Sequence, residues 1–233
     1  MDHPSSGATG VNGGIERLED VILDDLFPEV DLALRRGRHV GPDDGAVFDF
    51  LNDAQDHLEP FYRRFGAELV FKSEGYFYLL PTGDGLGRRQ LNAGEMLVGQ
   101  SMALLSLDPD HLVKGGKISR DLVLQRLMSL VGQEELIRRF HPRRRKVDER
   151  TAAEAIRTRV GSALRVLADL GFVDLVGDDE LQLRPAVMRF AEPVRASQER
   201  AQALAILVAR GEIDVATDDT AFAADDGEED GEQ

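Results

Sequence analysis

Apolar residues recur at helical spacing through the first part of the chain. Leu18, Val21, Ile22 and Leu26 lie three or four apart, which predicts a helix. Pro28 suits the first turn of a second helix, and Gly37 its C-terminal cap. Phe48, Leu51, Leu58, Phe61 and Phe65 form a further stripe, with Pro60 expected to break it and Gly66 to end it. The period then falls to two. "AELVFK" and "YFYLLP" read as strands around Ser73-Glu74-Gly75, a hairpin.

The second half repeats this order. "NAGEMLVGQSMALLSL" carries Met96, Leu97, Leu104 and Leu105 on a helix ended by Asp108-Pro109. "ISRDLVLQRLMSLV" is a second helix with Ser119 as N-cap, and "EELIRRF" a short third. In "TAAEAIRTRVGSALRVLADLG", Ile156, Val160, Leu164, Leu167 and Leu170 line one face and Gly171 closes the helix. "FVDLV" and "LQLRP" form another hairpin around Gly177-Asp178-Asp179-Glu180. "PAVMRFAEPV" and "SQERAQALAILVARG" predict closing helices. A two-stranded hairpin is marginal alone and needs a helix to lie on. Helices followed by a hairpin, twice, predict an α+β, mostly α fold of two tandem winged-helix domains; a single irregular α+β domain is the alternative.

Charge divides the chain further. The net charge is -15 over 233 residues. Residues 211–233 hold ten Asp/Glu and no Lys/Arg. Residues 1–210 hold 33 acids against 28 bases, a net of -5. Such a tail repels itself and has little to bury, so disorder is expected there. The predicted organisation is a flexible leader (1–14), an N-terminal winged-helix domain (15–88), a C-terminal one (89–210) and a disordered acidic tail (211–233). The absence of cysteine excludes thiolate nucleophiles and disulfides, and fits a reducing cytosol. No apolar run is long enough to span a membrane, and the N-terminus lacks the marks of a signal peptide.

Few residues argue for catalysis. "PTGDGLGRR" (81–89) sits where phosphate loops sit, but ends in Gly87-Arg88-Arg89 and matches neither nucleotide fingerprint. It reads as a linker. His3, His39, His57, His111 and His141 form no ligand spacing. Neither a catalytic residue, a metal site nor a cofactor is expected. The opposite holds for "RRFHPRRRKVDER" (138–150), with seven Arg/Lys against two acids. Arg143, Arg144, Arg145 and Lys146 precede the last helix of the second unit, and Arg157, Arg159 and Arg165 continue along it. In a helix-turn-helix this region meets DNA, and each cation seated on a phosphate releases a counterion. The competing reading is a solvated loop, or cations paired with the acidic tail. DNA contact here would carry little sequence preference. In the first hairpin Phe71, Tyr76, Phe77 and Tyr78 alternate faces. One face covers its own helices; the other is left as an exposed apolar patch for a partner, or is ordinary core.

The order of motifs resembles a known family. "LFPEVDLALRRGRHVG", "FLNDAQDHLEPFYRRFGAELVFKSEGYFYLLP" and "MRFAEPVRA" are similar to the MukE family, the tandem winged-helix or kite subunits of the bacterial MukBEF condensin. The likeness is close over 15–85, thins over 108–150 and returns at 160–195. It implies a non-catalytic, homodimeric subunit that binds the kleisin MukF and through it joins the SMC ATPase MukB. It implies that the complex holds double-stranded DNA during chromosome condensation and segregation, in the cytoplasm at the nucleoid. On this reading Phe71, Tyr76, Tyr78, Phe27 and Leu34 are the partner-binding residues. The runner-up is a stand-alone winged-helix transcription regulator reading a palindromic operator.

Overall fold

The first part of the chain packs three helices against a hairpin. They are α1 (Leu18–Leu23), α2 (Phe27–Arg35) and α3 (Ala46–Arg63), followed by β1 (Ala67–Lys72) and β2 (Tyr76–Pro81). These belong to a computed structural model that describes residues 15–108, 115–132, 136 and 149–192. The chain divides into two units, residues 1–191 and 192–233, and every element named here lies in the first. The sequence elements "EELIRRF" (apart from Leu136) and "SQERAQALAILVARG", the leader and the acidic tail lie outside the described residues.

Helix α3 buries Phe50, Leu51, Ala54, Leu58 and Tyr62, one stripe at helical spacing. It does not break at Pro60 as expected; the helix runs on to Arg63. Proline there removes a single bond, to the carbonyl of Asp56 one turn back. Asp56 is exposed, so water can take its place. Gly37 and Gly66 end their helices at positive φ, as predicted. The strands pair antiparallel from Ala67 opposite Pro81 to Lys72 opposite Tyr76, around the predicted turn. A bridge between Val40 and Phe77 adds a short third rung beside β2.

The second part follows the order helix, strand, helix, helix, strand, strand. These are α4 (Ala93–Ser106), β3 (Lys117–Ser119), α5 (Arg120–Val131), α6 (Glu149–Asp169), β4 (Val173–Val176) and β5 (Glu180–Leu183), closed by a 3-10 helix at Pro185–Ala191. Asn92 and Glu95 form a reciprocal capping box at the start of α4. Helix α4 buries residues around most of its circumference, which places it at the centre of the core. Ser119 caps α5 as predicted, its hydroxyl accepting from the Leu122 amide. The strands form a sheet in the order β3-β5-β4. Strand β3 was not anticipated. Residues 185–191 form the closing helix expected there, as a 3-10 helix. The Phe190 ring there lies so close to Gly99 of α4 that a Cβ at position 99 would collide with it.

The fold is mixed α/β and mostly helical among the described residues. It holds two apolar clusters. One gathers Val30, Leu51, Leu58, Tyr62 and Phe77; the other gathers Met102, Leu127, Ile156, Leu164 and Phe172. Strand β2 serves both. Phe77 and Leu79 point into the first, Tyr76 and Tyr78 into the second. Period-two alternation thus puts one strand at the junction of two cores. No helix among the described residues is long and apolar enough to cross a membrane.

Candidate nucleic-acid and partner surfaces

Helix α6 presents the strongest candidate surface. Ile156, Val160, Ala163, Leu164 and Leu167 are buried. Glu154, Arg157, Thr158, Arg159, Ser162 and Arg165 are exposed on the far side. The Thr158 hydroxyl donates to the Glu154 carbonyl at 3.0 Å, and that of Ser162 to the Thr158 carbonyl at 3.0 Å. With the hydroxyls folded back on the helix and Gly161 between them, the arginines are the groups that reach outward. At 3.6 residues per turn, Arg157 and Arg165 stand about 80° apart, whereas Arg157 and Arg159 are about 160° apart. The structure therefore joins Arg157 with Arg165 and sets Arg159 on the opposite flank. Among the described residues no carboxylate lies within ion-pairing distance of any of the three. Arg143, Arg144, Arg145 and Lys146 lie outside the described residues.

What fixes α6 is a seam that the sequence did not disclose. The backbone turns after α6 at Gly171, with φ +77, where a Cβ would collide with the carbonyl of His39. Only glycine allows that approach. The His39 amide donates to the Leu170 carbonyl at 2.8 Å, and its ring Nδ1 lies 3.0 Å from the same oxygen. A carbonyl only accepts, so Nδ1 carries the proton and Nε2 is left to accept from Arg189 Nη1, 2.6 Å away. The His39 ring packs against Phe172 and Tyr78, with centroids 4.3 and 5.3 Å apart. The Arg189 guanidinium lies 4.0 Å from the centroid of Tyr78. Burial, with the charge of Arg189 beside it, pushes the imidazole down to about 3 and outweighs the Leu170 bond.

A second polar group spans the same seam. Arg184, buried, grips Asp174 through Nε at 2.8 Å and Nη2 at 2.7 Å, a two-pronged contact. Its Nη1 reaches Asp44 at 2.8 Å, and Arg38 takes the other Asp44 oxygen at 2.9 Å. The Gly41 amide also donates to Asp44. Burial raises the Asp44 carboxyl, but the bonds from Arg184 and Arg38 outweigh it and hold it below the usual carboxylate range. For Arg184 burial pulls downward, and Asp174 and Asp44 prevail, raising it above its ordinary value.

The predicted partner residues separate. Phe71 is exposed, 4.5 Å from Phe77 by ring centroid. Phe27 is half-buried, edge-on to Phe61. Leu34, Tyr76 and Tyr78 are buried, at 1%, 1% and 5% exposure. The hairpin's second face was read either as an open patch or as ordinary core. It is covered by the second core of the same chain, which takes in Tyr76 and Tyr78, while Leu34 lies in the first core, so these three residues offer no surface in this conformation. Among the described residues, no group of three or more His, Asp or Glu is placed to hold a metal ion.

Comparison with known proteins places this architecture. The family model for the condensin complex protein MksE matches residues 25–195. The chromosome partition protein MukE of Haemophilus ducreyi is 35% identical over 205 residues, covering 86% of this chain and 85% of that protein. MukE of Histophilus somni is 34% identical over 202 residues, covering 84% and 80%. MukE of Shigella flexneri is 33% identical over 199 residues, covering 84% and 88%. With a family match across most of its length and relatives a third identical over nearly as much, the chain belongs to the MukE/MksE family of condensin proteins.

Proposed function

We propose that this protein is the non-catalytic kite subunit of an SMC–kleisin condensin. It acts as a homodimer of tandem winged-helix modules that binds a kleisin of the MukF type. Through that kleisin it joins an ATPase of the MukB type and helps hold duplex DNA during chromosome partition at the nucleoid. The observation that carries this reading is the family match over residues 25–195. The module assignment draws support from the second part, where helix, strand, helix, helix and hairpin follow in winged-helix order. In that order α6 is the helix that would face DNA, with Arg157 and Arg165 on its open side and Arg143, Arg144, Arg145 and Lys146 just before it. Cations in this arrangement give salt-dependent affinity without base reading. Phe71 and Phe27 are the predicted partner residues with surface to contribute.

Co-expression with the neighbouring gene products of its operon tests the reading. A coiled-coil ATPase and a kleisin should co-purify with the chain. Replacing Arg143, Arg144, Arg145, Lys146 and Arg157 with Glu should weaken salt-sensitive retention of duplex DNA by the complex and leave kleisin binding intact. Failure of both partners to co-purify would sink the condensin role; unchanged DNA retention would remove the DNA face. The same element order and the exposed Arg157 would equally serve a stand-alone regulator. A gel shift with the isolated protein separates the two, because only a regulator discriminates between duplex sequences.

A further inference from the structure

Two Asp-Gly pairs occur among the described residues, Asp44-Gly45 and Asp84-Gly85. Such a pair is chemically labile, because the glycine amide nitrogen can attack the aspartyl side-chain carboxyl carbon and close an imide ring. The fold treats the two pairs in opposite ways. At Asp44 both reacting groups are held. One carboxylate oxygen accepts from Arg38 at 2.9 Å, the other from Arg184 at 2.8 Å and from the Gly41 amide at 2.9 Å. Burial opposes the charge, but these bonds keep the carboxyl below its ordinary range. An ionised carboxylate has no hydroxyl to lose and is a poor electrophile. The Gly45 amide donates to the Pro42 carbonyl at 3.1 Å, so its nitrogen is turned away from the side chain. Reaction here has to wait for the Arg184 and Arg38 contacts to open.

Asp84 has none of this protection. It is exposed, and among the described residues its carboxylate has no ion-pair partner. Residues 83–86 form a bend outside helix and strand. The amides of Thr82 and Gly83 donate to the Gly66 carbonyl at 2.8 and 3.2 Å, but the anchoring stops just before the pair, and the Gly85 amide has no backbone partner among the described residues. The fold also requires the glycine. A Cβ at position 85 would stand 2.8 Å from the Phe65 carbonyl oxygen, closer than any side chain tolerates. The missing side chain that lets the chain pass Phe65 is the one that would otherwise shield the amide from reaction.

We propose that Asp84-Gly85 is a site of spontaneous isoaspartyl formation, an age-dependent modification of the segment between β2 and α4. The Gly85 nitrogen bonds to Asp84 Cγ, the bond from Cγ to its hydroxyl breaks, and the hydroxyl leaves with the amide proton as water. Water then reopens the imide. Cleavage of the nitrogen bond at Cγ restores aspartate. Cleavage at the main-chain carbonyl carbon gives isoaspartate, whose backbone runs through Cβ and Cγ and whose side group is the former main-chain carboxyl. One water leaves and one returns, so no co-reactant is needed. The charge is kept and the main chain lengthens by one carbon. The proposal stands on the two local geometries and does not depend on the condensin role.

Peptide mapping of the full chain tests it. Trypsin should release residues 39–63 and 73–88, each carrying one of the two Asp-Gly pairs. After prolonged warm incubation of the native protein at neutral pH, the 73–88 peptide should resolve into two species of equal mass. Fragmentation should place the difference at position 84. The 39–63 peptide should convert more slowly by about tenfold or more, since it reacts only from a locally opened state. In denaturant the two pairs should convert at similar rates, because the protection of Asp44 lies in the fold. D84E keeps the charge but closes its larger imide ring far more slowly, and it should abolish the second species. A single 73–88 peptide after incubation, equal conversion of both pairs in the native protein, the same bias in denaturant, or a second species that survives D84E overturns the proposal.

Discussion

The two hairpins follow the same local order, a long helix and then two short strands, yet they do different work. In β1–β2 the first four residues of β2 are buried on both faces, and the strand belongs to two cores at once. In β4–β5 the outer residues Leu175 and Val176 are exposed, and the turn carries Asp178 and Asp179. The first hairpin sets strand β2 between two cores; the second lies nearer the surface, with β3 as a further strand beside β5. Local sequence sets the hairpin, and the neighbours decide what it is for. The comparison breaks first under truncation. Phe77→Ala removes a fully buried ring and should cost about 3–5 kcal/mol. Leu175→Ala, on a side chain 37% exposed, should cost no more than about 1 kcal/mol. Chemical denaturation of both variants measures the difference, and equal losses would show that the second hairpin is as embedded as the first.

The next largest effect tests the tie between them. Arg184 follows β5 and holds Asp174 on β4, but its third contact is Asp44, 140 residues away. Removing one partner of a buried ionic group leaves the others uncompensated, at about 3–5 kcal/mol. Asp174 is partly exposed and Asp44 keeps Arg38, so Arg184→Met should fall at the lower end, about 3 kcal/mol. Asp174→Asn should cost less than Asp44→Asn, because water reaches the Asp174 carboxylate. The reverse order in denaturation midpoints would mean that Arg184 braces the second hairpin alone.

This division explains what the sequence disclosed. Both hairpin turns, the Ser119 cap and the glycine ends at Gly37, Gly66 and Gly171 are local features, and each is where its chemistry predicts. The three-residue strand β3 is too short to show a period. Pro60 was misread because a proline's damage depends on whether the orphaned carbonyl is wet. The burial of Tyr76 and Tyr78 was left undecided for a subtler reason. A strand apolar on both faces reads alike whether the second face awaits a partner or meets another core of the same chain. The seam residues were invisible because His39 and Leu170 are 131 positions apart, and nothing in either neighbourhood points to the other. For α6, exposure of Arg157, Arg159 and Arg165 was legible from the helical period, but Arg159 was grouped with the other two although it stands on the opposite flank.

The smallest effect is the most diagnostic of the seam, and it turns on the sign of one titration. The His39 imidazole is held down to about 3 in the folded chain, against about 6.5 when unfolded. Between those values the unfolded state binds the extra proton. Its contribution to stability is therefore complete above pH 6.5 and is lost as the pH falls. One proton sets the slope, so the step from pH 6.5 to 5.5 should lose about 1 kcal/mol. Asp44 acts in the same direction but in a lower window. Its carboxyl lies below an ordinary value of 3.8, so its loss begins only where carboxylates protonate in the unfolded chain. His39→Gln provides the control, because its amide can still donate to Leu170 and accept from Arg189 but does not titrate. Subtracting the variant's stability from that of the wild type across pH 7 to 4.5 should leave the His39 contribution alone. A flat difference would mean that water reaches His39 and that its ring is less closely packed than the contacts with Tyr78 and Phe172 indicate.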